Sequence, residues 1–182
     1  MKKGSIISVL LITSLFMVNI THARNVYIGP MLLFQHIDAP HSHFNGIHPR
    51  LSLGFEDWID GIDTEYYFAG ELFVSPATAT LSDLHDKGAI STKTTRSIGI
   101  SILPGIKLDD GWIGYSRLGV INSTFSSPDV SKWGGQAGLG VQVCLTATLN
   151  LRVEYIFTAY QFVPGLHRPK SNEVGMGLTY RL

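Results

Sequence analysis

From residue 25 onward the chain alternates between apolar and polar residues with a period of two. Leu149, Leu151, Val153, Tyr155, Phe157 and Ala159 are apolar; Asn150, Arg152, Glu154, Thr158 and Tyr160 stand between them, with Ile156 the exception. The last segment repeats the pattern, Val174, Met176, Leu178, Tyr180 and Leu182 on one parity and Glu173, Gly175, Gly177, Thr179 and Arg181 on the other. Successive side chains of a strand point to opposite faces, so each segment predicts a strand with one apolar face. Eight such segments are found, at 26–35, 47–56, 62–74, 95–108, 112–123, 134–146, 149–161 and 172–182.

The connections alternate in length. The second, fourth and sixth are short, around Asp57–Gly61, Asp109-Asp110-Gly111 and Ala147-Thr148, whereas the others are longer and polar, with Ser75 to Thr94 the longest. An even strand count with alternating short and long connections predicts an all-β, eight-stranded antiparallel up-and-down transmembrane β-barrel. Strands of ~10 residues cross a bilayer when tilted, and closure satisfies every backbone group. Trp58, Trp112 and Trp133 fall at predicted strand boundaries, where aromatic residues gather at membrane interfaces. A soluble eight-stranded barrel of lipocalin type, with its apolar face inward around a small hydrophobic ligand, gives the same periodicity and stays open as an alternative.

The other face favours the membrane reading. Arg50, Glu71, Lys107, Arg117, Arg152 and Glu154 mix signs and lie among Gly, Ser and Gln. Small residues are unnecessary on a solvated surface, but in a narrow bore they make room for large charged neighbours.

The N-terminus carries a different pattern. Lys2 and Lys3 precede an apolar run from Ile6 to Val18, and Thr21-His22-Ala23 offers small residues for cleavage. That is the layout of a secretory signal peptide at 1–23, leaving a barrel domain at 24–182. No cysteine follows the run, which excludes a lipoprotein anchor, and the single Cys144 forms no internal disulfide.

Composition sharpens this picture. Of 182 residues, 45% are apolar and only 15% charged, well below the quarter usual for globular domains. Yet after residue 23 no apolar run approaches the ~20 residues of a membrane helix. Net charge is zero for the whole chain, and −2 once the two leader lysines are removed, so no basic excess points to nucleic acid.

Tyr115-Ser-Arg-Leu-Gly-Val120, Leu139-Gly-Val-Gln-Val-Cys-Leu-Thr146 and Leu149-Asn-Leu-Arg-Val-Glu-Tyr155 resemble strands of the eight-stranded outer-membrane barrels related to the membrane domains of outer membrane proteins A and X. The closing stretch Val174 to Leu182 is similar to the C-terminal signal read by the barrel-assembly machinery, with Met176, Leu178, Tyr180 and Leu182 in its alternate apolar positions. The resemblance implies residence in the outer membrane of a Gram-negative bacterium. It also implies outer-membrane lipid and lipopolysaccharide as surroundings, and the assembly machinery as a partner during insertion.

The mid-strand charges, Glu71, Arg117, Arg152 and Glu154, are expected to pair across the lumen as a structural network, because unpaired buried charge is costly. A small pore is the sharper alternative. His36, His41, His43 and His48 fall in the first long connection and are expected to be a polar surface loop, without metal. Glu56, Asp57, Asp60, Asp63 and Glu65 lack the spacing of a calcium loop. His167, Ser171 and Glu173 are the one grouping with the residue types of a hydrolase, and no nucleophile elbow, zinc-binding helix pair or phosphate loop occurs.

The expectation is therefore a non-enzymatic, monomeric outer-membrane barrel without cofactor or nucleic-acid partner. Its work would be structural and surface-exposed, with adhesion or host interaction through four external loops. The alternatives are a secreted lipocalin-like carrier and a lipid A-modifying enzyme.

Overall fold

The computed structural model describes residues 25–39, 42–62, 64–76, 79–84, 94–126, 129–164 and 167–182. The expected leader at 1–23 lies outside the described residues. Nine strands follow in order: β1 (Asn25–Ala39), β2 (Ser42–Asp60), β3 (Glu65–Ser75), β4 (Ala79–Leu84), β5 (Thr94–Asp109), β6 (Trp112–Ser126), β7 (Asp129–Cys144), β8 (Leu149–Tyr160) and β9 (Lys170–Arg181). β1 pairs with both β2 and β9, so the sheet closes on itself. Along β2, Leu51 to Asp60 pair with β3 and His43 to Ile47 pair with β4. β3 and β4 are thus two halves of one stave, interrupted just after Ser75 at Pro76, which has no N–H to donate. The result is a closed barrel of eight antiparallel staves.

The apolar parity faces outward. Leu32, Leu53, Leu72, Ile100, Leu118, Leu139, Val153 and Met176, one from each stave, are all exposed. On the opposite parity Arg50, Glu71, Arg117, Arg152 and Glu154 are buried at 1–2% exposure. A lipocalin-type carrier needs the reverse arrangement, so that alternative falls. An apolar belt around a closed, polar-filled barrel is the arrangement that satisfies lipid outside and backbone hydrogen bonds within.

Three connections lie at the end that also holds both ends of the described chain: residues 61–64, Asp110-Gly111 and 145–148. Gly111 has a φ of 85°, a left-handed turn conformation that suits glycine.

The opposite end departs from the sequence reading. β1 reaches Ala39 and β2 begins at Ser42, while β6 reaches Ser126 and β7 begins at Asp129. Two of the four expected long loops are strands that overshoot the apolar belt. On β1 the outward row is apolar through Phe34 and then becomes His36 and Asp38, still paired with β2. Backbone ladders do not require apolar side chains, and polar cross-strand pairs help hold these extensions. His36 Nδ1 lies 2.6 Å from Asn45 Oδ1, and the Thr124 and Ser131 hydroxyls lie 2.8 Å apart. The histidine-rich loop is therefore corrected to a β-hairpin: His36 is on β1, His48 is buried on β2, and His41 lies outside the described residues.

Trp58 is also corrected. β2 continues through it to Asp60, its parity is inward, and its ring packs edge-on against Tyr67 at 5.3 Å. Trp112 and Trp133 face outward.

Candidate functional site

The chemistry-bearing residues meet in the bore. β3 supplies Glu71, β6 Tyr115 and Arg117, and β8 Arg152 and Glu154, all on the inward parity of their strands. The Arg117 Nη2 donates to Glu71 Oε1 at 2.8 Å and to Glu154 Oε1 at 2.9 Å, and its Nε donates to Glu154 Oε2 at 3.1 Å. Arg152 Nη1 donates to the other Glu71 oxygen at 2.6 Å, while its Nη2 donates to Gln142 Oε1 at 3.1 Å. The Tyr27 hydroxyl and the Ser52 hydroxyl each donate to Glu71 at 2.9 Å. Glu71 thus accepts from four side chains, which matches the capacity of a carboxylate. The Tyr115 hydroxyl donates to Glu154 at 2.6 Å. Two guanidinium and two carboxylate groups balance, so the layer carries no net charge into a medium where charge is expensive.

A second cluster lies toward the longer-strand end. Arg50 Nη2 donates to Glu173 Oε2 at 2.9 Å, Gln35 Nε2 donates to Glu173 Oε1 at 2.8 Å, and Gln35 also donates to Ser171 at 3.1 Å. His48 Nε2 is 3.8 Å from Glu173 Oε1. This cluster is less complete than the first: among the described residues, Nη1 of Arg50 and both ring nitrogens of His48 are buried without a hydrogen-bond partner, against Nε2 of Gln142 alone beside Arg152. At the turn end Arg181 pairs with Glu56, which also accepts from the Tyr67 hydroxyl at 3.2 Å.

Apolar layers flank the charges. Tyr27, Tyr67, Leu103, Ile113 and Tyr115 form a buried cluster toward the turns, with Trp58 against it. Phe73, Ile121, Phe125, Tyr160 and Val163 form another toward the opposite end. The inward glycines create the space. A Cβ on Gly54 would lie 2.4 Å from the Tyr27 ring, and one on Gly140 would lie 2.3 Å from the Tyr115 ring.

Of the six charged residues singled out in the sequence, Glu71, Arg117, Arg152 and Glu154 share one network and Arg50 sits in the second cluster. Lys107 does not join them. It lies where β5 shifts register before the turn, and its ammonium reaches Glu65 at 2.9 Å and Asp110 at 3.4 Å at the barrel mouth. Met176, Leu178, Tyr180 and Leu182 line up outward, in the apolar belt. Gln35 and Arg181 are not among the candidate residues of the sequence, and Glu56 and Glu173 stand there in the acidic cluster and the hydrolase-type grouping, not in the lumen network. Parity was the available signal for Glu173 and Arg181, since both share the inward row of β9.

The other candidate groupings disperse. Ser171 is buried in the bore beside Glu173, whereas His167 is exposed outside it, its ring 6.0 Å from that of Phe162. Among the acidic residues, Glu56 turns inward to Arg181, Asp57 accepts from the Trp58 backbone N–H, Glu65 pairs with Lys107 and Asp60 is exposed. Asp63 lies outside the described residues.

No protein-family model matches this sequence, and no curated protein matches it. Solved structures do. Neisserial surface protein A is similar with a TM-score of 0.61 at 17% identity, over 86% of this chain and 97% of that one. Ail, the attachment invasion locus protein of Yersinia pestis, solved with the heparin analogue sucrose octasulfate, gives a TM-score of 0.56 at 13% identity, over 87% and 98%. Closed topology, outward apolar belt and these likenesses agree: the chain has the fold of the eight-stranded outer-membrane β-barrels.

Proposed function

We propose that this chain is a non-enzymatic outer-membrane protein whose barrel is a rigid, filled support, with adhesion or host interaction carried by the four connections at its longer-strand end. The observation that carries this reading is the occupied bore. A charge-compensated layer around Glu71, Arg117, Arg152 and Glu154 lies between two buried apolar layers. Side chains nearly fill a barrel of eight strands, so the charges act as internal packing rather than as a conducting lining. The dispersal of His167 from Ser171 and Glu173 goes with a non-enzymatic role, because a nucleophile and its base must lie within hydrogen-bond reach. The similar structures are named as a surface protein and an attachment protein, which accords with a role for the exposed end.

Met176, Leu178, Tyr180 and Leu182 on β9 form the outward row through which the assembly machinery would read the chain. Expression in an outer membrane tests the whole reading. The protein should resist carbonate extraction and shift mobility on heating in detergent gels, and lipid A mass spectra should be the same with and without it. Attachment of cells to host surfaces should fall when the 85–93 and 161–169 connections are replaced. Release by carbonate or an altered lipid A would overturn it.

A further inference from the structure

Outside the bore, the outer wall has a dip between β6 and β9 that its own residues leave unfilled. Val120 on β6, Gly135 on β7, Ala159 on β8 and Lys170 on β9 are consecutive partners across three ladders, all outward. The two middle positions are the smallest residues of the row, and a Cβ on Gly135 would touch nothing within 4 Å. Trp133 and Phe162 rise beside them, 53% and 54% exposed. Together with Arg168 they border a cleft of about 560 Å³, within the range of small-molecule sites.

Its polarity is graded along the barrel axis. Toward the turns the outward rows below it become apolar, through Ala137, Leu139 and Val141 on β7, Phe157 on β8 and, past Asn172, Val174 and Met176 on β9. Toward the other end they become Ser131 and Asp129 on β7, and Gln161 beyond β8. Two cations, Arg168 and Lys170, stand at the upper edge, and neither side chain has an ion-pair or hydrogen-bond partner among the described residues. The opposite end of the barrel carries the acids Asp57, Asp60, Glu65, Asp109 and Asp110, with Lys107 paired among them.

We propose that this cleft binds a phosphate-bearing lipid of the outer leaflet, the lipid A anchor of lipopolysaccharide, with a phosphate between Arg168 and Lys170 and an acyl chain over Gly135 and Ala159. Two unpaired cations match the charge of a sugar phosphate, and charge-assisted bonds to phosphate are the strong ones. Trp133 is a residue type that sits at headgroup depth, and Phe162 adds a second aromatic ring to that girdle. The apolar floor runs on into the belt, so the occupant must continue into the bilayer, which a lipid does and a water-soluble partner does not. In outer-membrane barrels the long-connection end faces outward, which places the site in the leaflet that holds lipopolysaccharide. This goes beyond the role of the external connections and requires only the membrane fold.

The test uses the purified, folded barrel in phosphatidylcholine nanodiscs, with lipid A or the same lipid stripped of its phosphates as probe. Bound lipid is counted by native mass spectrometry, and folding is checked by heat-dependent mobility. The wild type should retain the phosphorylated form about tenfold better. Arg168→Ala with Lys170→Ala changes only exposed side chains and should abolish that preference, whereas Lys107→Ala at the other end should keep it. Gly135→Leu should fill the cleft and lower retention of both forms. Equal retention of the stripped lipid, or an unchanged preference in the double variant, would overturn the proposal. So would a lipid-free dimer that Gly135→Leu dissociates, since a second copy would then be the occupant.

Discussion

The guanidinium of Arg50 lies 4.4 Å from the centroid of the Phe73 ring. Arg117 lies 5.8 Å from the same centroid. One aromatic ring thus contacts a cation from each buried cluster, and among the described residues no ion pair joins the two. Removing the ring would leave both cations facing a cavity. Phe73→Ala should cost about 3–5 kcal/mol, read from the urea midpoint of the folded barrel, and Phe73→Leu markedly less. Equal effects of the two substitutions would show that the ring itself matters little.

Glu71 carries more of the network than any other carboxylate, with four side-chain donors around it. Glu71→Gln leaves Arg117 and Arg152 with less compensation in a buried layer and should lower stability by up to about 3–5 kcal/mol. Glu154→Gln should weaken the barrel in the same direction. Conductance in planar bilayers should stay at background in both variants; a channel opened by either would turn the structural assignment into a gate.

Packing inside the bore gives a coupled pair. Gly140→Val places methyl groups where the Tyr115 ring stands and should destabilise by about 1–3 kcal/mol. Combined with Tyr115→Leu, the loss should be smaller than the sum of the single losses, because one change vacates the space the other needs. Strict additivity in a double-mutant cycle would contradict the contact.

The belt can be mapped by charge. Val153 faces lipid on β8 between Val141 and Met176, so Val153→Arg should cost about 2–4 kcal/mol. Ser131→Arg, on the polar extension of β7, should cost at most about 1 kcal/mol. The difference, measured by equilibrium unfolding into urea from lipid vesicles, locates the upper edge of the hydrocarbon.

Much of this barrel is legible from the sequence because parity survives even where composition varies. The row Arg117, Tyr115 and Ile113 could be placed on one face of β6 without knowing what it faces. Direction is harder, since a period of two is the same for an apolar core and an apolar exterior; the mixed signs of Arg152 and Glu154 beside glycines tipped the choice. What parity does not give is partnership. Glu173 and Gln35 are 138 residues apart in sequence and meet only because β9 closes against β1. Nor does it give strand length beyond the membrane. His36, Asp38, Thr124 and Ser131 read as loop because they are polar, yet their backbones keep pairing. Lys107 shows a related limit: its parity is inward, but it stands at the turn end of β5 beside Glu65, too far along the axis to join the network.

The overshooting hairpins also determine which parts of the outer surface can change. Only two residues separate β1 from β2, and two separate β6 from β7. Inserting a single residue into either extension would send every side chain beyond it to the opposite face unless a bulge absorbs it. These tips can therefore vary by substitution or by paired insertions. Residues 76–78 fall between two ladders, and nine residues separate β4 from β5, so a change of length there need not shift a paired row. Surface diversification, whether by selection or by grafting a foreign peptide, should concentrate length changes there and leave the two hairpins constant in length.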